Sequence, residues 1–131
     1  RRIARWMSGT KALLGRIALE PRLAERARSY HRRRNTGRGL EPNVRVLENE
    51  ASDGSTVVEV VGPDGVGLLY ALTRALADLD LDILRAKIAT MGSDVVDSFY
   101  VRDRSGAPIT DADDGAEIRT ALLHVLKANA S

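Results

Sequence analysis

The stretch from Thr56 to Leu79 narrows the possible folds more than any other. A β-branched run, Thr56-Val57-Val58-Glu59-Val60-Val61, passes through a glycine-rich bend directly into an amphipathic repeat. Such side chains fit a pleated, half-buried surface, so the run predicts a strand over 56–61. The bend, Gly62-Pro63-Asp64-Gly65-Val66-Gly67, is made of residues that punctuate regular structure. Beyond it Leu68, Leu72, Ala75, Leu76 and Leu79 share one face of a helix. Neither element buries its apolar side alone, so the two must belong to layers packed on each other.

Residues 42–131 repeat this alternation. Val44–Glu48 reads as a short strand, and the turn-forming residues 49–55 predict a hairpin between it and 56–61. Asp80-Leu81-Asp82 ends the first helix, and Ile83–Thr90 then sets Leu84, Ala86 and Ile88 against Arg85 and Lys87, a strand with one polar face. Met91-Gly92-Ser93-Asp94 connects it to Val95–Arg102, a strand whose faces stay ambiguous because Asp97 alternates with Phe99 and Val101. A final helix carries Ile118, Leu122, Val125 and Leu126 on one stripe. Thr110 is expected to cap it, and Asp111, Asp113, Asp114 and Lys127 complement its dipole. The order ββαββα predicts a ferredoxin-like two-layer α+β sandwich, an antiparallel sheet with two helices on one face. That fold has a last strand beside its first. Residues 128–131 are too short and polar to supply one, so Val44–Glu48 is expected to take the vacant edge.

Charge divides the chain. Residues 1–38 hold twelve basic side chains against Glu20 and Glu25, whereas residues 39–131 hold eight basic and sixteen acidic ones. Opposite fields argue for separate roles. The break near Gly37-Arg38-Gly39 sets a basic helical connector, 1–41, before a domain over 42–131. Ile3, Trp6, Met7, Thr10, Leu13, Leu14 and Ile17 predict an amphipathic helix over 2–18, weakened by Gly9 and Gly15. After Pro21 a narrow stripe of Leu23, Ala27 and Tyr30 runs among arginines. The arginines fit a solvated connector or a contact with nucleic acid or an acidic partner. The first stripe fits packing on a neighbouring domain. Because the chain opens on Arg1, it reads as a fragment or a processed product.

The composition excludes several chemistries. Without cysteine there is no disulfide, thiolate metal site or cysteine nucleophile, which fits a cytoplasmic protein. No segment approaches the ~18 apolar residues of a membrane span, and none has the order of a signal peptide. His31 and His124 lack metal-motif partners, the Asp111–Asp114 acids are explained by the helix start, and the glycine bend lacks the lysine and hydroxyl of a P-loop. No nucleophile stands beside a base. No catalytic residue, metal site or cofactor is therefore expected. The bend itself has two readings. Exposed N–H groups at a helix start attract carboxylates, and Gly67 lets a ligand approach the backbone; the same glycines also suit a plain tight turn.

The run from Thr56 to Tyr70 resembles the opening of an ACT domain, where a strand leads through an Asp-x-Pro-Gly-Leu-Leu turn into a helix. The similarity continues through Ala75–Asp78, Asp82-Ile83, Ala86–Thr90 and Val95–Val101. Together with the lead-in Val44–Ser55 it resembles the carboxy-terminal ACT domain of bacterial PII uridylyltransferase/uridylyl-removing enzymes. One position departs: Val66 stands where the turn usually has proline, which bears on ligand binding. The resemblance implies a regulatory domain that senses glutamine beside a second ACT domain, in tandem or by dimerisation. It also implies that magnesium-dependent transfer and removal of a nucleotidyl group (uridylyl or, in some relatives, adenylyl) on the PII signal protein lie upstream. Ligands of the family bind between the turn of one domain and the second strand of another. This places the ligand-binding candidates at Asp64, Val66, Gly67 and Leu68 on the turn and at Asp82, Ile83 and Leu84 opposite.

Two other readings compete. One is an amino-acid-binding ACT regulator of another enzyme. The other, less favoured, is a nucleic-acid-binding ferredoxin-like module, which needs aromatics on an open sheet face. Phe99 and Tyr100 are adjacent and so lie on opposite faces, and the acidic domain repels phosphates.

Overall fold

A computed structural model describes residues 2–11, 14, 41–48, 51–63, 65–92 and 94–129. Its elements follow in the order β1 (Arg2–Ser8), β2 (Asn43–Leu47), β3 (Thr56–Pro63), α1 (Val66–Asp78), β4 (Leu81–Met91), β5 (Asp94–Asp103) and α2 (Ala112–Asn129). The strands form one sheet in the order β1-β4-β5-β3-β2, every neighbouring pair antiparallel. From β2 onward this is the ββαββα sandwich that the alternating periodicities predict.

The hairpin forms as expected. Val44 lies opposite Val60 and Val46 opposite Val58, which puts β2 on the edge beside β3. In its loop, Asp53 Oδ1 accepts from the Ser55 N–H at 3.0 Å and the Ser55 hydroxyl at 2.6 Å, and Gly54 adopts φ 80°, a left-handed conformation open to glycine.

The core lies between the sheet and the two helices. Leu68, Leu72 and Leu76 of α1 and Ile118, Leu122 and Leu126 of α2 meet Val58, Val60, Phe99 and Val101. The faces of β5, ambiguous in sequence, separate cleanly: Val95, Asp97, Phe99 and Val101 turn inward while Val96, Ser98, Tyr100 and Arg102 face outward. Asp97 therefore belongs to the helix-facing side. Thr56, also buried, uses its hydroxyl to accept from the Ile109 N–H at 2.8 Å and donate to the Ile109 carbonyl at 3.2 Å, pinning the segment before α2 to β3. No buried side-chain nitrogen or oxygen among the described residues lacks a partner.

Three local expectations change. Residues 2–8 form a strand, where helical spacing predicts a helix over 2–18. The edge of β4 presents a row of backbone groups that demand partners, and β1 supplies them from Arg2 opposite Met91 to Ser8 opposite Arg85. Gly9, at φ 75°, then turns the chain, and helical residues begin only at Thr10. The second arm stripe, Leu23 to Tyr30, lies outside the described residues, as does His31. At α2 the cap is Asp111 and not Thr110: Asp111 Oδ1 accepts from the Asp113 N–H at 2.8 Å. In β4 a register shift between Ile83 and Arg85 breaks simple alternation. Ile83, Ala86 and Ile88 face the helices, and Leu84, expected on that face, is only half-buried.

Candidate ligand-binding site

The glycine bend joins β3 to α1 at one end of the sheet, where Pro63 is level with Asp94 and Asp94 with Met91. Gly65 occupies the N-cap with φ 173°, extended backbone open to any residue, and makes no side-chain cap. Its carbonyl receives the Leu69 N–H at 3.2 Å. The first turn holds no acidic residue, so nothing on α1 itself offsets the positive end of its dipole. Gly67 and Leu68 are both buried there, Leu68 within the core. Val66 begins the helix, and Asp64 lies outside the described residues.

Gly62 decides how the bend is seated. A side chain there would place its first carbon 2.8 Å from Leu126 Cδ2 and 3.2 Å from Leu68 Cδ2. This glycine thus serves packing, since both helices close over the strand where it stands. Gly67 differs: it lies in the helix's first turn.

The other half of the predicted site stands elsewhere. Asp82 is level with Arg102 and Ile83 with Val101, at the opposite end of β4 from the bend. Seven to nine strand residues separate the halves, about 25–30 Å at ~3.3 Å per residue. One chain therefore does not bring Gly67 and Leu68 to Ile83 and Leu84. Asp82 is exposed, Ile83 sends its side chain into the core, and only the backbone of Ile83 and Leu84 faces the sheet edge.

That backbone is already engaged. The Ile83 N–H donates to Thr10 Oγ1 at 2.6 Å, the Thr10 hydroxyl donates to the Ile83 carbonyl at 3.3 Å, and the Gly9 N–H donates to the Leu84 carbonyl at 2.9 Å. Sequence reading missed these contacts, because nothing in the spacing of Gly9 and Thr10 links them to a strand over seventy residues away.

The open face of the sheet holds a second group that sequence reading did not assemble. Tyr100 reaches it, as does Trp6 through β1, with ring centroids 5.6 Å apart. The Arg85 guanidinium lies 4.2 Å from the Tyr100 centroid and 5.8 Å from that of Trp6, while Lys87 Nζ lies 5.7 Å from Trp6. Arg85 also binds Asp53 at 2.7 Å, and Arg102 donates to the Asp53 carbonyl at 3.1 Å. The Ser55 hydroxyl, Arg85 and the Ser55 N–H hold the Asp53 carboxyl well below the usual carboxylate range. Phe99, by contrast, is fully buried.

An open cleft of about 650 Å³ lies at the end of the sheet where β4 begins, away from the glycine bend. Asp80, Asp103, Asp111, Asp114 and Glu117 line it, and Arg104 is the one cation beside them among the described residues. Its acids do local work. Asp103 Oδ1 accepts from the Ser105 hydroxyl at 2.6 Å and from the Ser105 and Ala107 N–H groups at 2.9 Å each, which lowers its pKa. No group of His, Asp or Glu among the described residues is arranged to hold a metal ion, and His124 is exposed on α2. No described helix is long and apolar enough to cross a membrane.

A two-layer α+β sandwich with a glycine bend at the strand-to-helix turn is consistent with an ACT-type domain. Residues 51–127 match the family model described as the ACR family N-terminal ACT domain. The chain belongs to the ACT domain family. Among curated relatives, the bifunctional uridylyltransferase/uridylyl-removing enzyme of Azospirillum brasilense is 45% identical over 79% of this chain and 10% of its own length. The enzyme of the same name from Rhodopseudomonas palustris is 41% identical over 88% of the chain and 12% of its length. That from Bradyrhizobium sp. is 38% identical over 91% and 12%. The chain thus spans about a tenth of the length of these relatives. No solved structure matches it at a significant level.

Proposed function

We propose that this chain is the glutamine-sensing ACT domain of a cytoplasmic enzyme that attaches uridylyl groups to the PII signal protein and removes them. The activity for which these relatives are named supports the parent enzyme, whose catalytic groups and magnesium would lie outside this chain. The single observation that carries ligand sensing is the start of α1, where the first turn has no acidic residue and Gly67 adds no side chain over the backbone N–H groups. An amino-acid carboxylate would be received there. Its ammonium needs a carboxylate or carbonyl, and Asp64 or the Asp82–Leu84 segment of a paired domain offers one. A ligand shifts the parent only as far as it binds one arrangement of domains better than another.

Calorimetry tests this reading. Glutamine should give saturable heat, other amino acids little, and Gly67→Val should remove the signal while leaving the thermal transition in place. Heat from a different amino acid alone would transfer the domain to the other ACT reading. Silence toward all amino acids would end the sensing proposal.

A further inference from the structure

We propose that the open face of the sheet binds a mononucleotide, its base stacked on the exposed Trp6 indole and its phosphate received by Lys87. This site is separate from the glycine bend and stands whether or not that bend takes glutamine.

The register brings two rings and two cations together on this face. Trp6 lies opposite Lys87, and Arg85 lies opposite Tyr100, so the rings of β1 and β5 flank the cations of β4. Ala86, between those cations, is fully buried on the helix side, which turns Arg85 and Lys87 outward. Tyr100 alone would give the face a single ring; β1 adds the second, with centroids 5.6 Å apart. Trp6 is 54% exposed, so its indole contributes little to the core. An exposed aromatic face beside cations is the surface on which bases stack, whatever their identity, because every base has a π-face.

The cations divide into held and available. Arg85 is held: Asp53 pairs with it at 2.7 Å, and its guanidinium lies 4.2 Å from the Tyr100 centroid. Arg102 donates to the Asp53 carbonyl at 3.1 Å. Lys87 Nζ lies 5.7 Å from the Trp6 centroid, and none of the ion pairs among the described residues includes it. An ammonium beside the ring that carries the base is placed to meet the phosphate of the same nucleotide.

Charge limits the size of the ligand. Residues 39–131 hold eight basic and sixteen acidic side chains. Three of the eight, Arg85, Lys87 and Arg102, gather here, and among the described residues Asp53 is the one acid bonded to them. Further along the Lys87 row, past Ser98, stands Glu59, already paired with Arg45 at 3.3 Å. A cationic island on an acidic domain suits one nucleotide, whereas a long strand would run off it onto like charge.

Trp6 is the only tryptophan of the chain, so its fluorescence reports on the site directly. In the full chain, UMP and AMP should each quench it saturably, and uridine, which lacks the phosphate, should bind at least tenfold more weakly than UMP. Lys87→Ala should weaken UMP at least tenfold and bring it level with uridine, a loss of preference that general loosening of the sheet would not produce. Trp6→Ala, followed by calorimetry, should remove the heat of UMP binding. Circular dichroism and thermal unfolding confirm that each variant is folded. No saturable quenching by either nucleotide at millimolar concentration, or a Lys87→Ala variant that still prefers UMP to uridine, would overturn the site. Quenching by a single-stranded oligouridylate but not by UMP would overturn it as well, and would assign this face to nucleic acid.

Discussion

At one edge of the sheet β2 is fastened on several sides, whereas at the other β1 is fastened chiefly to its neighbour. Val44 of β2 is fully buried in the core, its carbonyl receives Arg119 Nε of α2 at 3.1 Å, and a short loop ties β2 to β3. β1 has no comparable buried residue among those whose side chains are described, and its side-chain bonds past the ladder run through Thr10. Two threonines show the contrast in miniature. Thr56 and Thr10 each bridge the N–H and C=O of one isoleucine, yet Thr56 is buried and Thr10 is only part-buried. The longer ladder does not make the firmer edge. A strand is as firmly held as its side chains are packed, because a backbone hydrogen bond exchanged for one to water contributes only about 1 kcal/mol net.

The sharpest way to break this comparison is at Val44. Val44→Asp places an unpartnered charge in the core and should cost about 3–5 kcal/mol in denaturant unfolding; a smaller loss than that of any β1 substitution would invert the contrast. Arg119→Ala removes the clamp of α2 on β2 and should cost about 1 kcal/mol. Trp6→Ala, on the loosely held edge, should cost only about 0.5–1 kcal/mol, the worth of exposed cation–ring contacts. The smallest effect concerns Asp53, which links the β2–β3 loop to Arg85 of β4. Its folded pKa lies below the ordinary 3.8, so its contribution is present above that value and is lost as pH falls through and below it. Between about pH 5 and pH 2 the thermal midpoint of wild type should therefore fall more steeply than that of Asp53→Asn; parallel curves would remove Asp53 as a link between the edges.

The same contrast explains what was legible in the sequence. The β2–β3 hairpin announces itself locally, by a turn-rich loop between two β-branched runs, and α1 and α2 announce themselves by leucine spacing. β1 carries no such signal: its apolar residues fit a helix as well as a strand, and only the vacant edge of β4, distant in sequence, settles the matter. The bulge at Leu84 is invisible for a related reason, since one residue out of register reverses the faces that follow. Of the candidate site, the bend and its helix start were readable because they are contiguous. That its two halves stand at opposite ends of one strand became apparent only from the sheet order, and the cluster of Trp6, Arg85 and Tyr100 only from the register.

Gly62 carries a mechanical consequence. Because this residue has no side chain, Leu68 from the opening turn of α1 and Leu126 from the closing turns of α2 sit on one shared bearing. A methyl group at that seat would press on both leucines at once, so filling it strains the start of α1 and the end of α2 together.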